Sequence, residues 1–148
     1  MNILDSISTS VIALYIIPFL LYVLTGNYIH FKAFLGTAGT TIISETIKHF
    51  FIGKASPRPQ GAKNCNLMCN DGAQSGQPGM PSGHSSEVAF FSGFYYQQTT
   101  NPIIRSLLVG YAGLVMLSRY IKRCHTINQI VAGALLGLSL SWIVVCQL

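Results

Sequence analysis

Three short words in this chain carry side chains suited to one kind of chemistry. Arg58-Pro59 comes first, then Pro81-Ser82-Gly83-His84, then Ser118-Arg119 followed by His125. An arginine presents a planar fork of donors that matches phosphate oxygens. A glycine at a helix start lets backbone N–H groups come close to an oxyanion. An imidazole attacks when neutral and donates a proton when charged. Two arginines, two histidines and a glycine turn therefore imply an anion site able to transfer a phosphoryl group.

Each word alone has an ordinary explanation. Ser82 can cap a helix and leave His84 as a surface residue. Arg58, held between Pro57 and Pro59 in an extended segment, can be a solvated loop arginine. Lys122, Arg123 and His125 can be anchors at a membrane edge. The discriminating question is whether the elements of the chain bring the three words to one place.

The composition says what those elements are. Half of the 148 residues are hydrophobic and only 9% are charged, against about a quarter in an ordinary soluble domain. Most of the surface therefore does not face water. The net charge is +5, but the basic residues are scattered at the ends of apolar runs. No basic stripe with interleaved aromatics occurs, which argues against a nucleic-acid partner.

The first apolar run lies within Ile7 to Gly26 and has no charge between Asp5 and Lys32. It is long enough to span a bilayer. Pro18 sits inside it, where membrane helices tolerate a kink. A cleaved leader fits poorly, because Asp5 and no Lys or Arg precedes the run. The second run, about Ala33 to Gly53, contains Glu45 and Lys48 on one helical face. They can neutralise each other, or Lys48 can reach the site. Lys54 to Met80 is polar and rich in Gly, Pro and Asn, and reads as a loop. Three further runs follow: Pro81 to about Gln97, which is short for a full span, Pro102 to Leu117, and Ile127 to about Cys146.

The expected architecture is thus all-α. It is a single domain over 1–148, an integral multi-pass membrane bundle of about five helices with the 54–80 loop over the site. Five helices put the loops after the second and fourth on the same face, and those loops carry the three words. Of the four cysteines, Cys65 and Cys69 share the loop. They can bridge in an oxidising lumen or remain thiols. Cys-x3-Cys alone is weak as a zinc motif.

The ordered set resembles the lipid phosphate phosphatases of the type 2 phosphatidic acid phosphatase superfamily, which also holds the vanadium haloperoxidases. The pattern there is Lys-x6-Arg-Pro, Pro-Ser-Gly-His, and Ser-Arg-x5-His-x3-Asp. Here the second word is complete and the third matches through His125. The lysine would fall at Phe51, so Lys48 or Lys54 must supply that charge. Lys48 is favoured because Ile47-Lys48-His49 closes a helix. The final Asp is Gln129. That glutamine, with the Gly79-Met80-Pro81-Ser82 approach, is similar to the dolichyl diphosphatase branch. The family usually has six spanning helices, and this chain lacks a counterpart of the first.

The resemblance implies that His125 attacks phosphorus to form a phosphohistidine and that His84 protonates the leaving oxygen. Gln129 would orient His125. Arg58, Arg119, Ser82, Gly83 and Lys48 or Lys54 would hold the phosphate. It implies no metal and no cofactor. The implied partners are a lipid phosphate or diphosphate and the surrounding lipids, with no obligate protein partner. The dolichyl branch implies a polyprenyl diphosphate substrate and an internal membrane such as the endoplasmic reticulum. A phosphatidate or phosphatidylglycerol phosphate is the alternative substrate, and a silent lipid-binding relative the alternative role. An orienting Gln129 also implies that Gln129→Asp keeps activity or shifts its pH optimum.

Overall fold

The apolar stretch at the start of the chain folds as one rod from Ile3 to Thr25. It comprises α1 (Ile3–Thr9), a 3-10 turn at Ser10–Ile12 and α2 (Ala13–Thr25). Asn2 and Asp5 close a capping box, which carries the helix start back from Ile7 to Ile3. The irregular turn falls at Ser10–Ile12, while Pro18 lies within α2. Asn27 caps α3 (Tyr28–Thr46), which runs on into a π-helical turn, Ile47–Ile52. After the cap loop come α4 (Gly83–Gln98), α5 (Pro102–Ile121) and α6 (Ile127–Cys146). This computed structural model describes residues 2–147. Among them the bundle is all-helical, and the only β pairings are two isolated bridges, Pro57 with Pro78 and Lys63 with Ala73.

Among the described residues, three rods are long and apolar enough to cross a membrane by length and composition: Ile3–Thr25, Pro102–Ile121 and Ile127–Cys146. They carry large exposed apolar residues such as Leu24, Leu107, Leu135 and Trp142. Such surface suits lipid, where an apolar side chain need not be hidden.

The short α4 is different. It packs against α3, α5 and α6 at the centre of the bundle. Val88, Phe90 and Phe94 are buried there, but so are Ser85, Ser86 and Ser92. A helix walled by neighbours needs no apolar stripe, and at 16 residues α4 is short for a span, as the run from Pro81 to about Gln97 read. Gly133 and Gly137 of α6 make the close contact possible. A Cβ on either would collide with the Ser82 or Ser86 carbonyl of α4. Small residues let two helix backbones touch in this way.

One end of the bundle gathers the site. Lys122, at the end of α5, reaches Asp5 of α1 at 2.6 Å, and Ser8 and Ser118 are 3.3 Å apart. The end of α3 and the starts of α4 and α6 meet at the same end, under the cap loop.

Candidate active site

His125 lies in the short link between α5 and α6. Arg123 takes a left-handed conformation (φ 55°) and the Cys124 N–H returns to the Arg119 carbonyl at 3.0 Å. This closes α5 as a Schellman-type turn. Thr126 then caps α6, with Gln129 completing a capping box. His125 is held between two helix ends and is only 2% exposed.

Its ring has two distinct sides. Nδ1 is 2.9 Å from the Gly79 carbonyl and 3.3 Å from Gln129 Oε1. Both oxygens only accept, so Nδ1 carries the proton and Nε2 keeps its lone pair. Nε2 is 3.3 Å from Arg58 Nη1, which also donates to the Cys124 carbonyl at 3.2 Å. The nitrogen with the free lone pair therefore faces a guanidinium, where an anion would sit.

Burial, followed by the charges of Arg58, Arg119 and Lys48, holds the His125 pKa well below the ordinary histidine value. The ring is neutral, and so able to attack, at neutral pH and on into acid. On this group's account kcat/KM should not fall as pH drops through the usual histidine range. The acid limb should appear only lower. A pH profile of kcat/KM that loses half its value near the ordinary histidine pKa through His125 would contradict this.

Gln129 is oriented by the cap loop. Its Nε2 donates to the Pro57 carbonyl at 2.9 Å and to Ser56 at 3.1 and 3.2 Å. Its Oε1 accepts from the Thr126 N–H at 3.1 Å as well as from His125. The Gly79 carbonyl is the shorter of the two contacts to Nδ1, so glutamine shares the orienting task. Gly79 has to be glycine here, since a Cβ would stand 2.7 Å from the Gln129 amide atoms. Gln129→Asp should bring a full charge to Nδ1–H and move the acid limb of kcat/KM upward. It should also lower Tm by losing the donors to Ser56 and Pro57. An unmoved limb in a folded variant would argue against the contact.

His84 stands in the first turn of α4, and its Nε2 has no partner among the described residues. It lies within electrostatic reach of Arg119, His125, Lys48 and Arg58. His84, His125, Arg58, Lys48 and Gly83 line one polar cavity of about 390 Å³. Ser82 is fully buried and acts as the α4 cap, its Oγ receiving the Ser85 hydroxyl at 2.9 Å.

The two lysines separate. Lys48 is buried, ion-paired with Glu45 and turned toward Gly83. Lys54 is exposed and does not line the cavity. Between Lys48 and Arg58 the chain runs through a π-helical turn, Ile47–Ile52, and a 3-10 turn, Gly53–Ala55. Arg119 is fully buried, with Nη1 on Ser8 Oγ at 3.0 Å and Nη2 on the Cys65 carbonyl. Its Nε has no partner among the described residues, and neither has the Nε of Arg58. Burial lowers the Arg58 pKa, with Asp71 and Glu45 opposing, and a guanidinium stays charged regardless.

Cys65 does not pair with its loop neighbour. It is bridged to Cys124, while Cys69 remains a thiol 3.0 Å from Lys122 Nζ. Cys69 sits at a left-handed turn (φ 55°) that directs it outward to α5. The bridge ties the cap loop to the residue before His125.

A profile of the PAP2 superfamily matches residues 29–148. The chain belongs to the PAP2 superfamily. That membership makes it a membrane helical protein of a family made up generally of phosphatases. No curated protein and no solved structure gives a significant match. The PAP2 match begins in α3, so the first rod lies ahead of it.

The motif reading missed part of this PAP2 cavity. Tyr15, Thr41, Glu45, Asp71 and Glu87 also line it. Glu87 left a signal in the sequence: an acidic residue inside an apolar run, one turn after His84.

Proposed function

We propose that the chain hydrolyses a phosphate from a lipid phosphate or diphosphate through a phosphohistidine on His125. The observation that carries this is the anchored Nδ1 with Nε2 facing Arg58 across the cavity that His84 lines. Nε2 attacks phosphorus, and the bond to the leaving oxygen breaks with its electron pair going to that oxygen. Burial and the charges of Arg119, His125, Lys48 and Arg58 hold the His84 pKa well below the ordinary value, so the bound phosphate must first offset them. The ring then takes up a proton and gives it to the oxygen. Water then attacks phosphorus, His84 takes the water's proton, and the P–N bond breaks to release phosphate. Arg119 and Ser82 lie behind the cavity wall, Arg119 acting through its charge and Ser82 as the α4 cap. Arg58, Lys48 and the Gly83 amide line the cavity and stabilise the spread negative charge. The buried Lys48 suits this role better than the exposed Lys54.

Gln129 and the Gly79-Met80-Pro81-Ser82 approach favour a polyprenyl diphosphate. A second reading, a lipid phosphate bearing hydroxyl groups, is favoured by Glu87 on the cavity wall. The Cys65–Cys124 bridge supports a site facing an oxidising compartment, such as the lumen of an internal membrane.

The test is phosphate release by purified protein in detergent. Polyprenyl diphosphate, phosphatidate and phosphatidylglycerol phosphate would be compared, with chelator present and with His125→Asn as control. Release by the native chain alone is expected. No release from any of them would remove the phosphatase reading in favour of a lipid-binding relative.

A further inference from the structure

One polar group in the cavity takes no part in the phosphate chemistry. Glu87 lies one helical turn beyond His84 on α4, so both side chains leave the same face. It is 6% exposed and lines the cavity that holds His84 and His125. Thr41 Oγ1 donates to Glu87 Oε1 at 3.0 Å. Tyr15 OH is 2.5 Å from the same Thr41 oxygen. Oε2 of Glu87 has no partner among the described residues. Of the other two carboxylates on this wall, Glu45 is paired with Lys48 and with His49, and Asp71 Oδ1 accepts from the Cys65 N–H at 2.6 Å. Glu87 has no such pairing.

A buried carboxyl oxygen without a donor is costly. Such a group on a cavity wall is accounted for when its donor arrives with a ligand. Its place decides which part of the ligand that is. His125 and Arg58 fix the side from which phosphorus is attacked, and His84 serves the leaving oxygen. Glu87 is one turn further from the α4 N-terminus, toward Tyr15 and Thr41. It meets the atoms beyond the leaving oxygen, on the lipid side.

We propose that Glu87, supported by Thr41 and Tyr15, determines specificity by accepting a hydrogen bond from a hydroxyl or ammonium group on the leaving side of the substrate. The substrate class is then a lipid phosphate with such a donor on the carbon next to its phosphoester carbon. A polyprenyl diphosphate places phosphoryl oxygens there, which offer Glu87 no donor. The inference rests on the phosphatase reading and narrows its substrate class toward the second of the two.

The experiment uses the full chain in detergent and three chain-matched probes. These are dodecyl phosphate and its analogues with a hydroxyl or an amino group on the adjacent carbon. Binding is measured on a His125→Asn background, so that turnover does not consume the probe, and kcat/KM on the native chain. At a pH above the value of about 7 to which burial raises the Glu87 carboxyl, at least one donor-bearing probe should bind roughly tenfold tighter than the plain chain, the gain of a hydrogen bond to a charged group. The two analogues tell hydroxyl from ammonium recognition. Glu87→Gln is isosteric and should erase the advantage of the amino probe. Glu87→Leu should erase both advantages.

Equal binding of all three probes with Glu87 in place would overturn the proposal without need of a variant. So would an amino-probe preference that Glu87→Gln leaves unchanged, a hydroxyl-probe preference that Glu87→Leu leaves unchanged, or tighter binding of a short polyprenyl diphosphate than of either donor probe. Turnover of all three with the same kcat/KM would leave the phosphatase reading standing and this inference failed. A Glu87-dependent binding preference without any phosphate release would do the reverse.

Discussion

His125→Ala is expected to remove lipid phosphate turnover by at least about 10⁴-fold, the scale seen when a covalent nucleophile is lost. The same change should remove any phosphoenzyme. In the native chain, rapid acid-free quenching during turnover of a labelled lipid phosphate should trap label on one imidazole. The structure names the nitrogen. Nδ1 is committed to the Gly79 carbonyl and to Gln129, so the label belongs on Nε2. Proton-coupled phosphorus NMR of the trapped protein distinguishes the two positions. Binding should fall much less than turnover, because Arg58, Lys48 and the start of α4 still line the cavity. Label persisting in His125→Ala would remove His125 from the role, and label on Nδ1 would overturn the assignment of the attacking nitrogen. Loss of turnover together with all lipid binding would point to collapse of the α5–α6 link instead.

The prediction can be this specific because the sequence showed which residues meet, though not how they are held. Arg58, His84 and His125 were legible as a set. Each ends or begins an apolar run, and helices of membrane-spanning length bring alternate loops to one face. Gln129 was legible too, four residues after His125 on a helix start. The remainder depends on contacts between distant segments. Nothing near Gly79 marks its carbonyl as the principal partner of Nδ1. The bridge joins Cys65 to Cys124 across a sequence separation of 59, so spacing within the loop, which left Cys65 and Cys69 either bridged or free, could not name the pair. Which lysine reaches the cavity depends on the path from Ile47 to Ala55, a π-helical and then a 3-10 turn, which local propensity does not announce. Glu87 was passed over because α4 read as an apolar run. The helix tolerates it only because α3 supplies Thr41 and the first rod supplies Tyr15.

The second large effect concerns the proton. His84→Gln should slow turnover of a lipid phosphate by about 10²–10⁴-fold, the usual worth of general acid catalysis. The loss should depend on the leaving group. A lipid alkoxide is a poor leaving group and needs the proton that His84 Nε2 is placed to give. A p-nitrophenolate needs almost none. With p-nitrophenyl phosphate the first step should therefore run nearly as in the native chain. The second step still lacks its base, since His84 also takes the proton from the attacking water. The variant should then show a burst of p-nitrophenol followed by a slow steady state, with phosphohistidine accumulating on His125. Glutamine keeps a polar group of similar reach at the α4 start, so the fold should persist. Equal loss on both substrates, with no burst and no trapped label, would mean that His84 only shapes the cavity. The acid would then have to come from elsewhere on its wall, where Lys48 is the nearest charged donor to Gly83.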